Sequence, residues 1–152
     1  MFRLTREVRF CLNAEADDQL HRRPTNSFGG FPSMTGLGRF YTLRVTLAWE
    51  LNPETSYLRN IKEVDEVVRQ RIIPRLDKYA GSAESLVREG YSTLFGAWPG
   101  VTLERLELML TPTLSISLTA PEFPMVRLSQ KFEFSASHRL HSEQLSDEEN
   151  AR

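Results

Sequence analysis

Phe2-Arg3-Leu4-Thr5-Arg6-Glu7-Val8-Arg9-Phe10-Cys11-Leu12 opens the chain with apolar residues at 2, 4, 8, 10 and 12 and mostly polar residues between them. A strand turns successive side chains to opposite faces, so this alternation predicts a half-buried strand with Arg6 as the exception on its apolar face. Residues 13–38 are rich in turn formers, with Pro24, Gly29, Gly30, Pro32, Gly36 and Gly38. The segment is too long for a hairpin turn and reads as a structured excursion between two strands. The second strand carries Tyr41, Leu43, Val45, Leu47 and Trp49 on one face and Thr42, Arg44 and Thr46 on the other. Asn52-Pro53-Glu54-Thr55-Ser56 then turns the chain.

Asn60 is placed to cap a helix running to about Tyr79, whose apolar positions Ile61, Val64, Val67, Val68, Ile72 and Leu76 keep helical spacing. Pro74 should kink that helix or restart it, because proline removes a backbone donor. Ser82 can cap a second helix that carries Leu86, Val87 and Leu94 and ends by Ala97-Trp98-Pro99-Gly100. Two more alternating stretches follow, Leu103 to Leu110 and Thr113 to Thr119, before Pro121 and Pro124 mark a short linker. The order is ββααββ. Helices pooled between strand pairs predict an α+β domain: an antiparallel four-stranded sheet with two helices on one face. The other face must then be polar or find a partner.

Composition narrows the class without naming a chemistry. The 152 residues suit one medium domain, and 19 basic against 20 acidic side chains leave no electrostatic footprint for nucleic acid or an anionic membrane. No apolar run approaches the roughly 18 residues that span a bilayer, and the N-terminus alternates where a signal peptide would be continuously apolar. A single cysteine, Cys11, excludes an internal disulfide and fits a reducing, cytoplasmic setting.

After the linker the alternation returns from Val126 to Ser137, with Val126, Leu128, Phe132, Phe134 and Ala136. Val8 to Ala14 aligns with Phe132 to His138, Phe10 standing against Phe134 at an offset of 124 residues. That spacing equals about one ββααββ unit plus its linker, so the chain reads as one unit and the first strand of another. Three regions result: 1–120, a linker at 121–125, and 126–152. His138 shares parity with Phe132, Phe134 and Ala136 and falls at the strand's end, where it is either a hydrogen-bonded core residue or a metal ligand. His141 reads as an exposed turn residue. Ser146-Asp147-Glu148-Glu149 has capping-box form, which predicts a helix start and makes the acidic run its first turn.

Phe134-Ser135-Ala136-Ser137-His138-Arg139-Leu140 resembles the first zinc-ligand motif of the 6-pyruvoyltetrahydropterin synthase family, which includes 6-carboxytetrahydropterin synthase. His141-Ser142 and Leu145-Ser146-Asp147-Glu148-Glu149-Asn150 resemble the stretch beyond that motif. The match covers about 20 residues. It implies a T-fold, zinc as cofactor with His138 as one of three histidine ligands, and elimination chemistry on 7,8-dihydroneopterin triphosphate. Three neutral imidazoles would leave the metal Lewis acidic with an open position for substrate. The family's other two ligands lie on a His-Gly-His motif after a cysteine-bearing loop, and this sequence stops at Arg152 before such a loop.

A fainter resemblance runs through residues 1–120. Phe40-Tyr41-Thr42-Leu43-Arg44-Val45-Thr46 is similar to the strand after the family's His-Gly-His. Leu51-Asn52-Pro53-Glu54-Thr55, Asn60-Ile61 and Pro74-Arg75-Leu76-Asp77 are similar to its turn, helix start and helix end. The catalytic positions differ throughout. Ala14 stands at the first ligand, Leu37-Gly38-Arg39 at His-Gly-His, Ser33 near the cysteine, Lys78 at the proton-transfer histidine beside Asp77, and Leu110 or Thr111 at the pterin-anchoring glutamate. Before residue 131 the only histidine is His21. The expectation is a catalytically silent copy, a chain inactive by itself, and no catalytic residue within it. The resemblance further implies homo-oligomers joined through edge strands and sheet faces. The glycine-rich loop Asn26 to Pro32 would either cover a neighbouring subunit or pack on its own sheet. The alternative function is a non-catalytic T-fold module for assembly or for binding a pterin or purine.

Overall fold

The computed structural model describes residues 1–12, 39–76, 79–135 and 142–150. Strand β1 (Phe2–Leu12) pairs antiparallel with β2 (Arg39–Trp49) along its whole length, from Phe2 against Trp49 to Leu12 against Arg39. Helices α1 (Ile61–Arg71), α2 (Ile73–Leu76) and α3 (Ala83–Leu94) come next, then β3 (Thr102–Met109) and β4 (Leu114–Thr119). A 3-10 turn (Ala120–Glu122) leads into β5 (Arg127–Gln130), and a short helical turn, α4 (Asp147–Asn150), comes last. The protein is α+β, with one antiparallel sheet in sequential order β1-β2-β3-β4-β5. Among the described residues the sheet has five strands, where the sequence suggests four, because the strand after the linker joins it beside β4.

Parity places the core on one face. Val8, Leu43, Leu108 and Ile116 form one row across four strands, and Val45, Leu106 and Leu118 form the next, all buried. Between Thr46 and Leu47 the β2–β3 register shifts, with Thr46 opposite Arg105 and Leu47 opposite Leu103. A bulge inserts one unpaired residue, here Glu104, and switches the inward parity of β3 from Leu106 to Leu103. Glu104 accepts two hydrogen bonds from Arg3, at 2.6 and 2.8 Å.

The helices cover this face. Val64 and Val68 of α1 and Val87, Tyr91 and Leu94 of α3 are buried against the strands. The Asn60 side chain accepts from the Lys62 N–H at 3.0 Å and the Ser82 hydroxyl from the Ser85 N–H at 3.1 Å, so both expected caps are in place. The chain breaks after Arg71 and restarts with Pro74 in the first turn of α2, where its missing N–H costs nothing. Gly90 lets α3 lie close on the sheet: a Cβ there would stand 3.2 Å from Leu106.

The opposite face is polar. Arg44 donates to Glu7 at 2.8 Å and lies 3.6 Å from Glu107. Glu107 also accepts from Arg105 at 3.0 Å and from Ser115 at 2.9 Å. This lattice follows the register, since Glu7, Arg44, Glu107 and Ser117 are cross-strand neighbours. The hydrogen bond from Arg44 is the main reason the Glu7 carboxyl sits below its ordinary value. Among the described residues no helix is long and apolar enough to cross a membrane.

Residues 121–125 form a tight turn with a cis Phe123–Pro124 bond. Its Glu122 carboxylate accepts from Thr119 at 2.7 Å and from Arg127 Nε at 2.8 and 2.9 Å. Arg127 first and Thr119 second hold that carboxyl down from 4.5 to about 2. A depressed folded value makes the tie complete above pH 4.5 and lost as pH falls through about 2. Pepsin cleavage around β5 should therefore be faster in Glu122→Gln than in wild type at pH 4.5, and the two rates should converge near pH 2. A constant ratio across that window would remove Glu122 as the clasp. Strand β5 stops at Gln130, short of the expected Ser137, because the β3–β4 turn ends the available edge. The last ladder bond runs from the Lys131 N–H to the Thr113 carbonyl at 2.7 Å. Beyond that bond, residues 132–135 have no strand pairing among the described residues, and 136–141 lie outside them.

Candidate functional site

At one end of the sheet the core opens into a recess of about 140 Å³ between β1, β2, β3 and the chain around α2 and α3. Phe10 and Tyr41 form one wall with ring centroids 5.8 Å apart, and Leu76, Tyr79 and Leu110 contribute others. Arg39 lies at its rim, at the first residue of β2. The Tyr79 hydroxyl donates to Glu89 at 3.2 Å.

Arg39, which the resemblance sets at a ligand position, and Leu110, which with Thr111 it sets at the anchoring glutamate, both line this recess. The fold brings them together because β2 begins and β3 ends at the same end of the sheet, Thr42 lying opposite Met109. Neither can do the chemistry that the resemblance assigns to its position. A guanidinium is permanently protonated and offers no lone pair to a metal, and an isobutyl group accepts no hydrogen bond. Cys11 is buried, and burial pushes its thiol above the ordinary value, away from the thiolate needed for nucleophilic work. Among the described residues lining the recess there is no carboxylate, thiol or imidazole. A three-histidine zinc set does not fit the described side chains of this recess. Ala14, Ser33, Leu37, Gly38, Asp77 and Lys78 lie outside the described residues, as does the Asn26–Pro32 loop.

His138, the expected ligand, and His141 and His21 also lie outside the described residues, which contain no cluster of three metal-binding side chains. Residues 142–150, just beyond the two later histidines, form a turn and a helix start. The Ser146 hydroxyl and N–H both donate to Glu149, at 2.8 and 3.0 Å, and the Glu149 N–H returns to Ser146 Oγ at 3.4 Å. This is the expected capping box, and α4 starts at Asp147.

Two polar anchors were not assigned from sequence. Asn150 is buried, and its amide accepts from the Ser142 N–H at 2.8 Å while donating to the Ser142, Leu145 and Ser146 carbonyls at 3.0 to 3.1 Å. It thereby ties the loop from Ser142 to the start of α4. Arg6, the exception on the apolar face of β1, donates to Asp65 of α1 at 2.7 Å, and Asp65 is only 6% exposed. The signal for that pair was present, since an acidic residue between Val64 and Val68 sits on the buried side of α1. No family model matches the chain, and no curated protein matches it.

Proposed function

We propose that the chain is a degenerate T-fold unit joined to the opening of a second, zinc-binding T-fold unit of the 6-pyruvoyltetrahydropterin or 6-carboxytetrahydropterin synthase type. The observation that carries this reading is the run from Phe134 to Asn150, with His138 at the position of a first zinc ligand. Support comes from the α+β sheet with helices on one face and from an internal capping box where the family pattern wants a helix start. In this reading residues 1–120 are scaffold, and dihydroneopterin triphosphate is the substrate of the second unit once its remaining ligands are supplied. The expected setting is cytoplasmic, with assembly into homo-oligomers through sheet edges.

The second reading is a non-catalytic assembly module, favoured by the docking of β5 on β4. Sequencing the message beyond the Arg152 codon separates the two. A frame continuing through a cysteine-bearing loop into His-Gly-His is expected; a stop codon directly after Arg152 leaves the module reading. Light scattering should report a mass above the monomer for the isolated chain. A clean monomer at every concentration would count against assembly.

A further inference from the structure

On the polar face, β4 carries hydroxyl residues at alternate positions, Ser115, Ser117 and Thr119. Longer side chains flank them. On β3, Arg105 lies opposite Thr119 and Glu107 opposite Ser117. On β5, Arg127 lies opposite Ser117 and Ser129 opposite Ser115. Short residues between long ones leave an open trough of about 640 Å³, with Ser117, Thr119 and Ser129 lying between Arg105 and Arg127.

Hydrogen-bond capacity in this trough is unbalanced. Its Glu122 carboxylate already accepts from Thr119 and from both Nε and Nη2 of Arg127. The adjoining Glu107 carboxylate accepts from Arg105 and Ser115 and has Arg44 at 3.6 Å. Donors are left over. Arg105 Nε is buried and has no hydrogen-bond partner among the described residues. Ser117, 2% exposed, accepts from Arg105 Nη2 at 3.2 Å, and its own proton has no acceptor among the described residues. The Ser129 hydroxyl has no partner among them either. Buried donors without acceptors are costly and rare in folded proteins.

We propose that this trough binds a small oxyanion of the phosphate class, whose oxygens accept from Arg105 Nε and from the Ser117 and Ser129 hydroxyls. The ligand must be rich in acceptors, because donors are what the trough has in surplus. It must be anionic, because a guanidinium stands on each flank and pairs best with oxyanions. Donors arriving from three adjacent strands suit the oxygens of a tetrahedral anion better than the two of a flat carboxylate. Neither His138 nor the recess at Arg39 takes part, so the inference stands apart from the zinc reading.

Titrating the full chain with sodium phosphate, followed by nitrogen–proton NMR, tests it. Saturable shifts of the Arg105 Nε–H and of the Ser117 and Ser129 amides are expected, with none from chloride at equal ionic strength. Glycerol phosphate in a parallel titration separates the sources of the group. Tighter binding than inorganic phosphate assigns the trough to a phosphomonoester, and equal or weaker binding assigns it to the free anion. Ser129→Ala, at an exposed position, should weaken phosphate about tenfold, the loss of one hydrogen bond to a charged group. Arg105→Lys keeps the charge, removes the Nε–H and should weaken binding by about the same factor. Circular dichroism checks that both variants fold. Shifts that do not saturate, saturation centred on other residues, or a folded variant of either kind with unchanged affinity would each overturn the proposal.

Discussion

Replacing Asp65 by alanine is expected to lower the unfolding free energy by about 3–5 kcal/mol, the cost of breaking a buried ion pair at one end. Arg6 lies in the row of Val45, Leu106 and Leu118, and its side chain is 16% exposed. Asp65 is the acceptor at 2.7 Å, with Arg69 a further 3.7 Å neighbour. Without the carboxylate, the guanidinium loses the acceptor that Asp65 supplies at 2.7 Å in a largely apolar row. Arg6→Leu/Asp65→Leu removes both charges and should recover most of the loss, because taking two ions out of water offsets much of their attraction. Urea titration of wild type, single and double variants checks this. A single variant within about 1 kcal/mol of wild type would mean that the pair behaves like an exposed one.

Zinc should bind the 152-residue chain far below one ion per molecule. One imidazole at His138 cannot make the tetrahedral set that gives zinc its affinity, and the described residues lining the recess around Arg39 supply no imidazole, thiol or carboxylate in exchange. Elemental analysis after dialysis measures it directly, and a stoichiometric ion would overturn the account of residues 1–120 as silent scaffold. In a polypeptide that continues into His-Gly-His, His138→Ala should weaken zinc by more than about 100-fold, beyond the range for outer-shell partners. His141→Ala should leave affinity near wild type. Equal losses in both would move the ligand assignment off His138.

Much of the candidate site is legible in the sequence, for a particular reason. The proposed resemblance sets Arg39 and either Leu110 or Thr111 at site positions, and strand register alone puts the start of β2 beside the end of β3. The walls contributed by Leu76 and Tyr79 are not legible in that way, because they arrive from the helical layer through loops with no period to read. The bulge at Glu104 is equally hidden. Nothing in Leu103-Glu104-Arg105-Leu106 shows where parity will switch until β2 lies alongside.

What the sequence by itself determined is local in kind: alternation in β1 and β2, caps at Asn60, Ser82 and Ser146, the restart at Pro74, and the count of three histidines. Each depends on residues a few positions apart, where periodicity and short hydrogen bonds are decided. Tertiary structure alone decided that Arg6 has an acid to meet, that β5 belongs to the first sheet, and that Asn150 closes its own loop. Those outcomes require a particular strand, helix or carbonyl to arrive from elsewhere in the chain. Chain packing selects that arrival, and no periodicity encodes it.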